Sequence, residues 1–402
     1  MKIISRFFRR ARNKPAGIPD FPEVRKETAR EFIGTDFRFG LLRLIWKSGS
    51  GKNICLSPFS LGSILAILYG GAEGETKRAI ARTMGLEDIP AAKLDLRYGY
   101  LLDSWKAVSP RSALQLDIAS SLWTGKGFPV REGFSRRVRE SYDAEVGELD
   151  FAGAPAESVR TMNSWVREKT RKKIPSIIEN VSLETRLVLA NAIYFRGVWS
   201  TIAKFDPGRT KNEDFHLLDG SEKKIPMMRR SEEHDVDYYQ GDGFQAVILP
   251  YKDSTFQMVL FLPDERAGID GFMQNLNEEN WAFWMARFEP SAGEVVLPRF
   301  RSESHLSIES ALPALGMAIA FGRQADFSGI CPENVWIDRV LHRAFLEVDE
   351  KGTEAAAVTM MEMVREISDR FSMVFDHPFF CAIRDSTTDE ILFAAAVVDP
   401  EE

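Results

Sequence analysis

The sequence predicts an α+β protein, on three observations. Helical patterns and β-forming apolar runs both recur along the 402 residues. No Pro/Gly/Ser-rich linker, internal repeat or low-complexity block divides them, so residues 28–402 read as one large domain behind a lead-in of residues 1–27. Near the C-terminus, two strand-like runs, AFLEVD (Ala344–Asp349) and SMVFDHPFF (Ser372–Phe380), are separated by about twenty residues, whereas most connections run to roughly 4–6.

Composition narrows the function classes. The formal net charge is -7, with 28% charged residues, which speaks for ordinary solubility and against general nucleic-acid binding. The three cysteines, Cys55, Cys331 and Cys381, are too few and too odd in number for a disulfide framework and read as buried thiols. No metal-ligand spacing joins them to the five histidines, and no cofactor motif is present. No run of about 18 apolar residues predicts a transmembrane helix. The lead-in MKIISRFFRRARNKPAG is basic and reads as disordered. Its apolar pieces are too short for a signal-peptide core, which favours the cytoplasm over an extracellular setting and leaves the compartment open. Asn180-Val181-Ser182 is a glycosylation sequon that matters only in a secreted chain.

In chain order, Lys26–Lys47 has helical spacing through Phe32, Phe39, Leu42 and Ile45. SGSGKN (Ser48–Asn53) lacks the first glycine of a phosphate-binding loop and has Asn53 at the magnesium position, so it reads as a turn. NICLSPFS opens with a short strand and enters an apolar helix at Ser57-Pro58. Gly70-Gly71 ends that helix, and Glu75-Thr76 begins another. Leu114–Trp123 reads as a strand, with a helix from Arg131. Glu157–Lys172 is an amphipathic helix with Val159, Met162 and Val166 on one face. Leu187–Trp199 (LVLANAIYFRGVW) is a buried central strand. Phe244–Pro263 makes an antiparallel hairpin around Lys252–Ser254. Glu294–Arg301 reads as a strand and Leu306–Met317 as a helix. Ser57, His342 and any aspartate do not make a hydrolytic triad: no GxSxG surrounds Ser57, and a lone histidine on an apolar strand is most often a satisfied core residue.

The segment Glu350–Arg370 (EKGTEAAAVTMMEMVREISDR) has two local readings. Ala, Met and Glu favour helix, with Thr353 as a cap. At period two, Thr353, Ala355, Ala357 and Thr359 instead share a uniformly small face, and no proline stands before Pro378 to prevent pairing on both edges. Propensity alone slightly prefers the helix.

Resemblance favours the strand. EKGTEAAAVT resembles the hinge of the reactive-centre loop of inhibitory serpins. NICLSPFS, NAIYFRGVW, ADFSGI and DHPFF resemble other family stretches, in family order, over roughly residues 30–400. Ala395 stands where the family usually has glycine. The resemblance implies the serpin fold: a large central mostly antiparallel β-sheet, further sheets, about nine helices and an exposed loop near residues 350–371. It also implies a non-enzymatic, metastable inhibitor that acts as a suicide substrate. The loop is cleaved, an acyl-enzyme forms, and the freed strand inserts into the sheet, trapping a serine or cysteine protease.

The implied hinge is Glu350, Gly352, Thr353, Ala355, Ala357 and Thr359. Met361 and Met363 follow on the same face as adaptable fillers. The implied entrance (the breach) is Trp199, Arg299 and Glu350, with an Arg299–Glu350 ion pair. The implied middle (the shutter) is Ser57, Ser60, Asn191 and His342. Family spacing from Glu350 puts the reactive bond at Glu366–Ile367. Glu350 to Pro378 is one residue longer than usual, so Arg365–Glu366 competes and a bond after Ile367 is a third register. The first suits a glutamate-preferring protease and the second a trypsin-like one. A monomer with a protease as its partner is expected; a non-inhibitory carrier or chaperone of the same family is the alternative.

Overall fold

The computed structural model describes residues 37–49, 51–87, 89–108, 114–230, 232, 234–252, 254–350 and 370–400. The lead-in, residues 26–36 of the first expected helix, and every loop position from Lys351 to Asp369 lie outside them.

Helix α1 is Phe37–Ser48 and strand β1 is Ile54–Leu56. Helix α2, Pro58–Tyr69, begins where Ser57 caps it: its Oγ accepts from the Ser60 N–H, and Pro58 gives up no hydrogen bond in the first turn. Every residue of α2 is buried. Helices α3 (Gly74–Met84), α4 (Ala91–Val108), α5 (Glu132–Tyr142) and α6 (Pro155–Lys169) follow, with strands β2 (Gln115–Gly125) and β3 (Glu145–Leu149) between α4 and α6. Strands β4 (Leu187–Arg196), β5 (Phe205–His216), β6 (Glu222–Arg230), β7 (Val236–Gly241), β8 (Phe244–Pro250) and β9 (Phe256–Pro263) come next. Helices α7 (Gly268–Asn275) and α8 (Glu278–Met285) precede β10 (Glu289–Ser291), β11 (Gly293–Pro298) and β12 (Phe300–Ser307). The described chain closes with β13 (Arg339–Val348), β14 (Phe371–Val374), β15 (Phe379–Asp385) and β16 (Ile391–Val397).

Among the described residues three sheets result. One has seven strands, β1-β16-β15-β9-β8-β7-β10, antiparallel throughout. Ala395 lies mid-strand in it, paired to Cys55 and Cys381, so an alanine fits there without special backbone geometry. A second has four strands, β14-β11-β6-β5. The third, which carries the site, runs β12-β13-β4-β2-β3. Its inner face packs on α2 and the seven-stranded sheet in the main core. Its outer face carries a second apolar cluster in which Met162, Trp165 and Val166 of α6 meet Val188, Ala190, Ala192, Tyr194, Leu341 and Phe345. All three cysteines are free and buried.

Three expected elements are corrected. Glu294–Arg301 is not one strand: β11 pairs with β6 and β14, and after Arg299 the chain crosses to pair β12 with β13 in another sheet. Leu306–Met317 is not a regular helix. Leu306 and Ser307 finish β12, and the helix that follows is short and kinked, a π-helical turn at Pro313–Met317 broken at Gly316 (φ 111°) and continued as a 3-10 turn at Ala318–Phe321. The apolar spacing there joins a strand end to a short helix; Pro313 stands in that helix's first turn, and the break falls at Gly316. Similarly, SMVFDHPFF divides between β14 and β15 in two different sheets.

Candidate functional site

The site forms along the seam where β13 and β4 lie side by side, parallel, from Arg339↔Val188 at its base to Leu346↔Phe195 at its top. Apolar β-forming sequence builds both strands, and nearly every residue on them is buried.

At the middle of the seam His342 faces Asn191 in register. His342 is fully buried; its Nε2 accepts the Ser57 N–H at 2.9 Å, and its Nδ1 lies 3.0 Å from Asn191 Oδ1. An accepting Nε2 puts the proton on Nδ1, so the ring donates to Asn191. The Asn191 amide in turn donates to Ser120 Oγ on β2 at 3.0 Å. One chain of hydrogen bonds thus ties the start of α2 to β13, β4 and β2. Burial lowers the imidazole pKa to about 3, so the ring is neutral at ordinary pH. Ser60 sits beside this chain but outside it: its N–H caps on Ser57, and its hydroxyl has no hydrogen-bond partner among the described residues. Sequence reasoning did not find Ser120, which shows only as one of two adjacent serines on a strand. It also missed Ser304, whose Oγ accepts the buried Cys55 N–H at 2.8 Å.

At the top, Glu350 follows β13 and is 6% exposed. Arg299 grips its carboxylate with two hydrogen bonds, Nε–Oε2 at 3.1 Å and Nη2–Oε1 at 2.7 Å, and Thr210 adds one at 2.5 Å. Burial on its own would raise the carboxyl pKa; the donors Arg299 and Thr210 outweigh it and hold Glu350 below the usual range. Trp199 Nε1 donates to the Asp349 carbonyl at 2.9 Å, and the indole stacks on Tyr251 at 4.7 Å. Arg196 adds a 3.1 Å bond to Asp349. Tyr251 was not singled out by sequence, and the bond of Thr210 to Glu350 was not foreseen, because the partners lie 52 and 140 positions away with no local pattern. Of the implied hinge, Gly352, Thr353, Ala355, Ala357 and Thr359 lie outside the described residues, as do Arg365, Glu366 and Ile367.

A pH prediction arises here. A folded imidazole held near 3 against about 6.5 unfolded contributes stability that is complete above the unfolded value and is lost as pH falls toward 3. The slope is at most about 1.4 kcal/mol per pH unit. His342→Gln should lose stability at neutral pH yet show a shallower decline than wild type between pH 6.5 and 4, measured by denaturant midpoints. Parallel declines would contradict the neutral, buried assignment.

Fold and site together define an α+β protein with a parallel β13–β4 seam in the interior of a five-stranded sheet, and β13 leads in sequence, through Asp349 and Glu350, into residues 351–369. The family model for serpins (serine protease inhibitor) matches residues 33–400. An uncharacterized serpin-like protein of Thermococcus kodakarensis is 35% identical over 384 residues, covering 91% of this chain and 84% of its own. Iripin-2 of Ixodes ricinus is 31% identical over 365 residues, covering 90% and 91%. Among solved structures, the thermophilic serpin Tengpin in its native state superposes with a TM-score of 0.82 at 25% identity, covering 96% of this chain and 97% of that one. The chain belongs to the serpin family, which is described as serine protease inhibitors and not as enzymes.

Proposed function

We propose that this serpin inhibits a serine protease, or a cysteine protease, as a suicide substrate. The observation that carries the reading is the seam. A segment turning back after Asp349 and entering between β13 and β4 would run antiparallel to both, exchanging one parallel ladder for two antiparallel ones. The geometry also fits the loop's alternation. On β13 the even-numbered Val340, His342 and Leu346 face the body, and the odd-numbered Leu341 and Phe345 face α6. Directly opposed antiparallel residues share a face. Odd-numbered loop residues set opposite even-numbered ones place Thr353, Ala355, Ala357 and Thr359 on the body side, where only small side chains fit under α2.

The chemistry belongs to the protease. Its nucleophile adds to the carbonyl of the reactive bond, the bond to the next nitrogen breaks, and that nitrogen leaves as an amine, giving an acyl-enzyme. Insertion then carries the acylated end toward the base of the seam and deforms the protease before water can hydrolyse the ester or thioester. Entry requires parting Glu350 from Arg299 and Thr210 at the top, then His342 from Asn191 in the middle. These contacts hold the strained state kinetically. Glu366–Ile367 is the proposed bond, with Arg365–Glu366 as its competitor; the targets are respectively glutamate-preferring and trypsin-like.

The test is thermal. Loop cleavage should raise the unfolding midpoint markedly, and the mass of the released C-terminal peptide fixes the bond. An unchanged midpoint would mean the loop does not insert and would favour a carrier or chaperone role.

A further inference from the structure

The residues between α6 and β4 form a strap over the outer face of the seam. Thr170 ends α6: its hydroxyl donates to the Val166 carbonyl at 2.7 Å and accepts the Ile174 N–H at 3.1 Å. Beyond it Ile174, Ile177 and Ile178 are buried, in one apolar cluster with Tyr194 of β4 and Leu341 and Phe345 of β13. The strap is pinned on both sides of the seam. On one side α6 rests on β2, where Trp165 meets Trp123 edge-on at 6.3 Å. From α6, Asn163 Oδ1 accepts the Ile177 and Ile178 N–H groups at 2.8 and 3.1 Å, and its Nδ2 donates to the Ile178 carbonyl at 2.9 Å. On the other side, His305 of the edge strand β12 donates from Nε2 to the Ile177 carbonyl at 3.0 Å. Arg343 of β13 adds a longer bond to Ser176 Oγ at 3.4 Å. A strand entering between β4 and β13 parts the two sides by one strand spacing, about 4.8 Å. No hydrogen bond survives such a displacement. The Asn163 and His305 bonds meet at one residue, Ile177, so they cannot both persist, and one side of the strap must let go.

We propose that His305 is a proton-released latch: its neutral ring pins the strap across the closed seam, and its protonation frees the strap and eases entry of the loop. The second part rests on the inhibitory reading above. The hydrogen bonds fix the tautomer. Nε2 carries a proton for the Ile177 carbonyl, and Nδ1 accepts from Arg343 Nη2 at 2.7 Å, the two residues standing opposite each other in register. A proton added at Nδ1 removes that acceptor and sets a cation against the guanidinium, so the ring must leave its place. His305 is accessible to solvent, so the proton reaches it with the seam closed. The charged groups facing the ring are Arg343 from β13, Glu303 from β12, which also holds Arg343 at 2.9 Å, and Glu179 from the strap. Desolvation and the Arg343 charge lower the imidazole pKa; the Ile177 carbonyl, Glu179 and Glu303 oppose this without cancelling it. The sign follows by linkage. The latched form is favoured in full above the free value of about 6.5 and loses that advantage as pH falls below it, by at most about tenfold per pH unit.

Residue-resolved hydrogen exchange on the full, uncut chain tests the latch, with rates corrected for their intrinsic dependence on pH. In wild type, protection of the Ile177 and Ile178 amides should drop several-fold from about pH 7 to about pH 5.5. His305→Gln keeps an N–H for Ile177 and an oxygen for Arg343 but does not titrate; it should match wild type at neutral pH and hold its protection in acid. His305→Ala should be weakly protected at both. Loss of inhibitory activity at a fixed elevated temperature, assayed after return to neutral pH, should follow the same pattern. If the strap ignores pH, or if wild type and His305→Gln loosen alike, the latch is overturned while the inhibitory reading stands. If the strap loosens as expected but wild type and His305→Gln lose activity in acid at one rate, its part in entry is overturned. A chain that inhibits no protease at either pH removes the inhibitory reading and the entry step with it, while strap exchange still decides the latch.

Discussion

Ala357→Arg is expected to turn the inhibitor into a plain substrate: still cleaved, no longer trapping. In the inserted register, residue 357 stands opposite residues 344–346 of β13 on the body side, where Ala344 and Leu346 are both 0% exposed. An arginine there must either bury an unpaired charge or hold the sheet open, at a cost of several kcal/mol. The outcome of each encounter is a race between insertion and hydrolysis of the acyl-enzyme. A barrier about 3 kcal/mol higher slows insertion by on the order of 100-fold, since about 1.4 kcal/mol is tenfold. The initial attack, made before insertion, is untouched. Titration of protease activity should show the molar ratio needed for full inhibition rising beyond measurement, with Ala357→Ser near wild type. A normal ratio for Ala357→Arg would mean that residue 357 never enters the sheet.

Arg299→Ala is expected to shorten the lifetime of the active state. The Glu350 side chain is 4% exposed and that of Arg299 40%. Removing the arginine strands a nearly buried carboxylate, for which about 3–5 kcal/mol is usual. The lower end applies because the exposed guanidinium leaves a path for water. Loss of inhibitory activity at a fixed elevated temperature should then accelerate on the order of 100-fold. The reciprocal change, Glu350→Gln, should be milder, because it leaves a cation that water already reaches. The difference between wild type and Arg299→Ala should be full at neutral pH. It should vanish as pH falls through the lowered pKa of Glu350, where the carboxylate no longer needs its partner. Equal lifetimes at pH 7 would remove the ion pair from the account of the entrance.

The two ends of the site were unequally legible in the sequence. Ser57-Pro58 announces a capped helix start by local rules alone, and the strand LVLANAIYFR by its apolar run. The crossing at Arg299 was not readable, because EVVLPRFR has one continuous strand pattern although its halves serve two sheets. Leu306–Met317 misled for a related reason: a strand end followed by a short kinked helix has the spacing of one continuous helix. Local pattern showed His342 only as a core histidine, and the family resemblance alone placed it in the shutter. Its engagement with Ser57, 285 positions away, and with Asn191, 151 positions away, is a product of topology. The seam itself is the least local feature. Composition does not say that β13 and β4 are neighbours, nor that they are parallel, and the choice between helix and strand for residues 350–370 depends on that adjacency.

The central claim is that cleavage and trapping are one event, and a denaturing gel tests it most directly. The protein is mixed with trypsin-like, elastase-like and glutamate-specific serine proteases, and the products are separated after boiling in detergent. The account predicts, with at least one of them, a band at the summed mass of protease and loop-cleaved chain. That band should be stable because the acyl bond is covalent and its hydrolysis is blocked. Complete cleavage of the loop by every protease, with no such band from any, would contradict it.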